Sequence, residues 1–171
     1  MPPIASLSEA PLRPPTGRAP LYTPTERARR DATRWTLVQG LLAPVQFLVF
    51  LVSVVLVLRF LATGQGEQWA AWSVLAKTAL LYLIMVTGCI WEKVVFDRWL
   101  FAPAFYWEDV FSMLVLALHT GYLLAWWNGW GTATGQMVLA LAAYAAYAIN
   151  ATQFVLKLRA ARLDMAAGVA A

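Results

Sequence analysis

The sequence predicts an all-α integral membrane protein with four transmembrane helices in a bundle and both termini on the cytoplasmic side. Three observations carry this prediction. Of the 171 residues, 61% are hydrophobic and only 13% are charged, too little polar surface for a soluble domain of this length. Four apolar runs approach the ~20 residues that a helix rising about 1.5 Å per residue needs to cross a bilayer. The basic residues gather at the ends of those runs, where membrane topology places them.

The elements follow in chain order. Residues 1–20 are rich in Pro, Ala and Arg and lack an apolar run, so they read as a flexible tail and not as a signal peptide. A four-helix transmembrane domain is expected over 21–164. Its first span, 35–61, is built on the run from Leu41 to Leu58, interrupted by Pro44, Gln46 and Ser53. Pro44 predicts a kink in its first turns. Gly64-Gln65-Gly66 makes a turn into the second span, 77–96. The third span is expected over 110–127, and Asn128-Gly129-Trp130-Gly131 turns the chain into the fourth, 137–158. Residues 165–171 are left as a C-terminal tail.

Eleven of the thirteen Lys and Arg residues lie before the first span, between the second and third, or at the end of the fourth. Only Arg59 and Lys77 fall toward the other side, so both termini and the middle connection are assigned to the cytoplasm. Trp69, Trp72, Trp126, Trp127 and Trp130 form an aromatic belt on the far side. This distribution also explains the net charge of +4 without nucleic acid. The single cysteine, Cys89, excludes an intrachain disulfide and a Cys-based metal site.

The middle connection, WEKVVFDRWLFAPAFYWED (91–109), holds four of the nine acidic residues: Glu92, Asp97, Glu108 and Asp109. They sit among aromatic and aliphatic residues, which predicts a semi-buried segment with aromatic walls and carboxyls at its edge. A carboxyl close to hydrocarbon is costly to ionise, which makes it a proton donor near neutral pH. Glu92 and Glu108 are the candidates for function. Asp97 and Asp109 serve equally well as interfacial anchors, and Glu108 and Asp109 also suit a helix N-terminus electrostatically. His119 is the sole histidine. Helical spacing puts Glu108, Ser112, Val115, His119 and Tyr122 on one face of the third span. His119 is hydrogen-bonded to a neighbouring helix, or is an axial ligand to a tetrapyrrole metal, or a proton relay. Gln39, Gln46 and Ser53 recur every seven residues on the first span, and Tyr147, Asn150 and Phe154 share a stripe on the fourth, as interhelical polar contacts do. The chain has no Gly-rich phosphate loop, no His/Cys metal spacing and no GxSxG elbow. What remains is the chemistry that carboxyls perform alone: moving protons, and adding or removing water.

Three stretches carry a family resemblance: LYTPTERARRDATRWTLVQGLLAPVQFLVFLVS, KTALLYLIMVTGCIWEKVVFDRWLFAPAFYWEDVFSMLVLALHTGYL and NATQFVLKLRAARLD. They resemble the 3-vinyl bacteriochlorophyllide hydratases, formerly called 2-vinyl bacteriochlorophyllide hydratases, over about Leu21 to Asp164. The resemblance implies an enzyme of bacteriochlorophyll biosynthesis in the bacterial inner, intracytoplasmic membrane. It adds water to the ring-A vinyl group of chlorophyllide a or 3-vinyl bacteriochlorophyllide a and gives a 1-hydroxyethyl group. No redox cofactor is implied, and the magnesium belongs to the substrate. Contact with other enzymes of the same biosynthesis is in keeping with the resemblance, and a homo-oligomer is left open.

Such a reaction needs an acid to protonate the outer vinyl carbon and a placed water for the inner one. Glu92 and Glu108 are the expected pair, one protonated and one ionised, with Asp109 in reserve. Trp91, Phe105 and Trp107 are expected to line the flat ring. Arg34, Lys93 or Arg98 would take the substrate's propionate, and His119 would ligate the magnesium. Glu108 and His119 lie roughly 16 Å apart along one helix, so they cannot both act at one ring edge. A pigment-binding scaffold without catalysis is the alternative. A small four-helix exporter fits less well, because the first span carries Gln46 and Ser53 where an acidic residue is expected.

Overall fold

A computed structural model describes residues 21–169, with side chains described as far as 163. The tail expected over 1–20 lies outside the described residues. Five helices follow in order: α1 (Pro24–Ala32), α2 (Arg34–Thr63), α3 (Glu67–Phe96), α4 (Tyr106–Asn128) and α5 (Ala133–Val169). Four of them, α2 to α5, are long and apolar enough to cross a membrane.

The short α1 is an element the hydropathy pattern does not reveal, because it is polar throughout. Local chemistry starts it. Pro24 occupies its first turn, the Glu26 N–H donates to Thr23 Oγ1, and the Thr23 N–H donates to Glu26 Oε2 at 2.7 Å. Thr33 ends α1 in an extended conformation and caps α2 in turn, accepting from the Trp35 N–H.

Helix α3 begins at Glu67, ten residues before the expected start at Lys77. Residues 67–76 carry Glu67, Gln68 and two tryptophans, which dilute hydropathy without disfavouring helix. Lys77 therefore lies well inside the helix, fully buried, and not at a membrane face. Helix α4 begins at Tyr106, which places Glu108 and Asp109 in its first turn. Helix α5 extends at both ends beyond the expected 137–158, from Ala133 to Val169. Helix α2 runs through Pro44 unbroken. The α2–α3 turn is tight because Gly64 closes α2 in a left-handed conformation, φ 71°. Gly129 does the same after α4, φ 65°.

Helices α2 and α3 pack as one antiparallel pair and α4 and α5 as another; the pairs meet chiefly through α2 against α5, and also through α3 against α4 and α5. The distribution of polarity is inverted relative to a soluble protein. On α2, Leu37, Leu41, Val45, Leu48, Val52 and Val55 are exposed, while Gln46 and Ser53 are buried. An apolar outer face around a polar interior suits a lipid surround, where helices are held by packing and interhelical hydrogen bonds. Those bonds are present: Gln39 Nε2 donates to Thr87 Oγ1 at 2.8 Å, and Asn150 Nδ2 donates to Ser112 Oγ at 2.7 Å. Ser53 Oγ bonds both Ser73 and Tyr144. The α4 face predicted by spacing is the buried one: Glu108, Ser112, Val115, His119 and Tyr122 all point inward.

Candidate active site

The carboxyl cluster forms where α3 ends and α4 begins, bridged by residues 97–105. Two residues of this connection adopt left-handed backbone angles, Asp97 at φ 60° and Phe101 at φ 58°. The chain thereby doubles back and drives its own amides inward. The Ala102 N–H donates to Glu92 Oε2 at 3.2 Å, and the Phe101 N–H donates to Asp109 Oδ2 at 2.9 Å. Glu92 and Asp109 are both buried, and they accept from the adjacent amides of Ala102 and Phe101, which gathers the two carboxyls at one place. Two carboxyls gathered in this way can share one proton, a pattern that separates the roles of an acid and a base.

Glu108 has a different partner. Its Oε2 accepts from Lys157 Nζ of α5 at 2.5 Å. The structure therefore brings Glu92 together with Asp109, not with Glu108 as the spacing suggested. Lys157, read from sequence as a topological charge, is a member of the cluster; its ammonium also lies 5.2 Å from the Phe105 ring centroid.

The aromatic residues divide into two groups. Phe105 is 2% exposed and is packed among Tyr22, Trp91, Phe96 and Phe154, with centroid separations of 5.7 to 6.3 Å. Trp91 is half-buried, and its indole N–H donates to Thr36 Oγ1 at 3.0 Å. These two rings are held in one packed aromatic group. Trp107 is 66% exposed, in company with Trp99, Phe101 and Tyr106. The rings of Phe101, Tyr106 and Trp107 run in sequence, at 5.7 and 5.4 Å between centroids. They form an exposed aromatic lip carried by the same backbone that holds Asp109.

Of the cations expected to meet a propionate, Arg34 and Arg98 are exposed. Lys93 is engaged with Asp97 at 2.6 Å, and this hydrogen bond and charge hold the Asp97 carboxyl below the usual carboxylate range. His119 has no exposed surface. Its Nδ1 lies 2.8 Å from the Val115 carbonyl oxygen, an acceptor only, so Nδ1 carries the hydrogen and Nε2 is left free. Ten residues separate it from Asp109, roughly 15 Å along α4.

Fold and site together describe a helical protein with four helices long and apolar enough to cross a membrane and buried carboxyls gathered at one end. The sequence profile of the family described as 2-vinyl bacteriochlorophyllide hydratase matches residues 22–160, and the chain belongs to that family. It is accordingly a hydratase, an enzyme that adds water to a double bond. A 2-vinyl bacteriochlorophyllide hydratase of Cereibacter sphaeroides is 64% identical over 159 residues, covering 91% of this chain and 99% of the relative. One from Rhodobacter capsulatus is 65% identical over 149 residues, covering 87% and 86%. No solved structure matches.

Proposed function

We propose that this chain hydrates the 3-vinyl group on ring A of chlorophyllide a or 3-vinyl bacteriochlorophyllide a, and that the Glu92–Asp109 pair carries the proton. The four long helices form a transmembrane bundle in the bacterial inner membrane, with both termini and the 97–105 connection on the cytoplasmic side. The observation that supports this reading most is the convergence of two buried carboxyls on adjacent amides of the connection that carries the exposed aromatic lip.

The chemistry follows from the arrangement. The protonated member of the pair gives its proton to the outer vinyl carbon, and the positive charge that develops on the inner carbon is shared with the macrocycle. Water adds its oxygen to the inner carbon and returns a proton to the pair, so the product is the 1-hydroxyethyl group and the pair is restored. The carboxylate of Glu108, held by Lys157, acts on the developing cation only at a distance. Trp107, with Phe101 and Tyr106, supports one face of the flat ring. Arg98 or Arg34 meets the propionate at the interface. No redox cofactor has a part, and magnesium enters with the substrate. Axial ligation by His119 is not included, because a magnesium ligand must face a surface that a macrocycle can reach, and His119 has none.

The test is hydration of chlorophyllide a by purified protein in lipid nanodiscs, followed by mass spectrometry. The hydroxyethyl product is expected. Binding of pigment without product would instead make the chain a pigment-binding scaffold.

A further inference from the structure

The connection that gathers the carboxyls is weakly held by its own residues. No residue of 97–105 is helical. Asp97 and Phe101 stand at left-handed angles, which residues other than glycine adopt only at a cost. Yet the Phe101 and Ala102 amides must stay aimed at Asp109 and Glu92. The hold comes from another part of the chain.

Tyr22 supplies it. Its ring is 4% exposed, stacked on Phe96 at 5.8 Å and tilted against Phe105 at 6.3 Å. Phe96 is the last residue of α3, and Phe105 immediately precedes α4. One ring therefore packs against both ends of the connection. Phe105 passes this contact on through its backbone. Its N–H donates to the Ala102 carbonyl at 2.8 Å, and its carbonyl accepts from the Asp109 N–H at 3.0 Å. The first bond fixes the residue whose amide meets Glu92; the second fixes Asp109 itself.

Helix α1 keeps Tyr22 in place. A helix so short and polar has little stability alone, and α1 buries no residue of its own. It lies against α3 through the groups at its ends. The Arg30 guanidinium sits 4.7 Å from the Tyr22 ring centroid, a cation–π contact. The Arg30 carbonyl accepts from Thr36 Oγ1 at 2.6 Å, and Thr36 Oγ1 accepts from the Trp91 indole at 3.0 Å. Trp91 closes the circuit, edge-on to Phe96 and Phe105 at 5.7 Å each. The result is a strap across the end of α3 that presses one ring onto the connection.

We propose that Tyr22 is a positioning residue for the hydration: strapped down by α1, its ring clamps both ends of the 97–105 connection and keeps the Phe101 and Ala102 amides on Asp109 and Glu92. Tyr22 acts through Phe105 and touches no reacting atom. The positioning role rests on the reading of the Glu92–Asp109 pair; the clamp does not.

Hydrogen–deuterium exchange of the full chain in nanodiscs, read by mass spectrometry, tests the clamp. Chlorophyllide a hydration by the same samples tests the positioning role. In Tyr22→Leu, amides of 97–105 should exchange several-fold faster than in the parent, while those in the middle of α4 and α5 stay unchanged and report an intact bundle. Its kcat should fall about tenfold through misplacement of the carboxyls. KM should change little, because Tyr106 and Trp107 stand on α4 itself. Tyr22→Phe keeps the ring and should restore both readouts. Arg30→Gln leaves the aromatic group filled and should act in the same direction by less, which keeps the test open if Tyr22→Leu does not fold. Parental exchange over 97–105 in Tyr22→Leu and Arg30→Gln overturns the clamp. Faster exchange with wild-type kcat overturns the positioning role, and so does a Tyr22→Phe that behaves like Tyr22→Leu. Failure of the carboxyl reading shows up separately, as full activity in Glu92→Gln and Asp109→Asn with the exchange difference intact.

Discussion

Lys157 Nζ lies 2.5 Å from Glu108 Oε2 and ties the last turns of α5 to the first turn of α4. The Glu108 side chain is 9% exposed and that of Lys157 27%, so water screens this pair little on the Glu side. Removing the lysine alone leaves a carboxylate in an apolar setting without its partner. Lys157→Met should therefore cost about 2 kcal/mol, below the range for fully buried pairs because the lysine is partly wet. The double variant Lys157→Met/Glu108→Gln should recover most of it. Thermal unfolding in one detergent at fixed protein concentration measures both; a double variant no more stable than Lys157→Met would show that the pair is not the cause.

The division of labour among the carboxyls is tested by neutral isosteres. Glu92→Gln and Asp109→Asn should each lower the rate of chlorophyllide a hydration by about 10²–10⁴, the usual worth of a positioned acid or base. Glu108→Gln should lower it less, since its charge acts at a distance and its proton is not used. Equal losses for all three, or full activity in Glu92→Gln and Asp109→Asn, would contradict the assignment.

Helical spacing alone reveals the buried face of α4, because five residues at intervals of three and four must share a side. It does not reveal which carboxyl meets Glu92. Glu108 and Asp109 are about 100° apart around the axis, and both are buried. The left-handed turns at Asp97 and Phe101 settle the choice by setting where α4 starts, and no periodicity encodes them. Lys77 is obscured for another reason. A lysine in an apolar run is read as the edge of that run, whereas here an aromatic face and polar neighbours admit it to the interior. A signal was available: residues 67–76 are polar enough to end a hydropathy window yet contain nothing that ends a helix. The same habit of reading terminal lysines as topology signals conceals Lys157.

The two groups of aromatic residues should respond differently to truncation. Trp107→Ala removes an exposed ring, so KM for the pigment should rise while kcat and thermal stability stay near wild type. Phe105→Ala opens a cavity in the packed aromatic group and should cost about 3 kcal/mol. Steady-state kinetics in nanodiscs, set beside thermal unfolding, separate the two. A rise in KM for Phe105→Ala without loss of stability would return that ring to the binding surface.

Lys93 and Asp97 give a pH dependence whose sign is fixed. The folded-state pKa of Asp97 lies below its ordinary value, first through the hydrogen bond from Lys93 and then through its charge. The stabilisation is therefore present above the ordinary carboxyl pKa and is lost as pH falls through the lower, folded value. Because the pair is exposed, its contribution is small. Asp97→Asn keeps a residue tolerant of left-handed angles, so its thermal midpoint should trail the parent slightly at neutral pH and converge with it in acid. Midpoints that separate further as pH falls would contradict the sign.

Phe101 places a bulky residue at φ 58°, a conformation that glycine adopts without strain and other residues at a cost of about 1 kcal/mol or more. Its N–H holds Asp109 and its ring belongs to the exposed lip, so one residue joins the carboxyl pair to the surface where pigment is proposed to rest. Strain kept at such a position is characteristic of a functional site. Phe101→Gly releases the strain and keeps the N–H, so thermal stability should hold or rise. KM for the pigment should increase through loss of the ring. Phe101→Ala loses the ring and keeps the strain, and should be the less stable of the two. If Phe101→Gly binds and converts pigment like wild type, the ring has no part in recognition, and the left-handed turn serves only to aim the amide at Asp109.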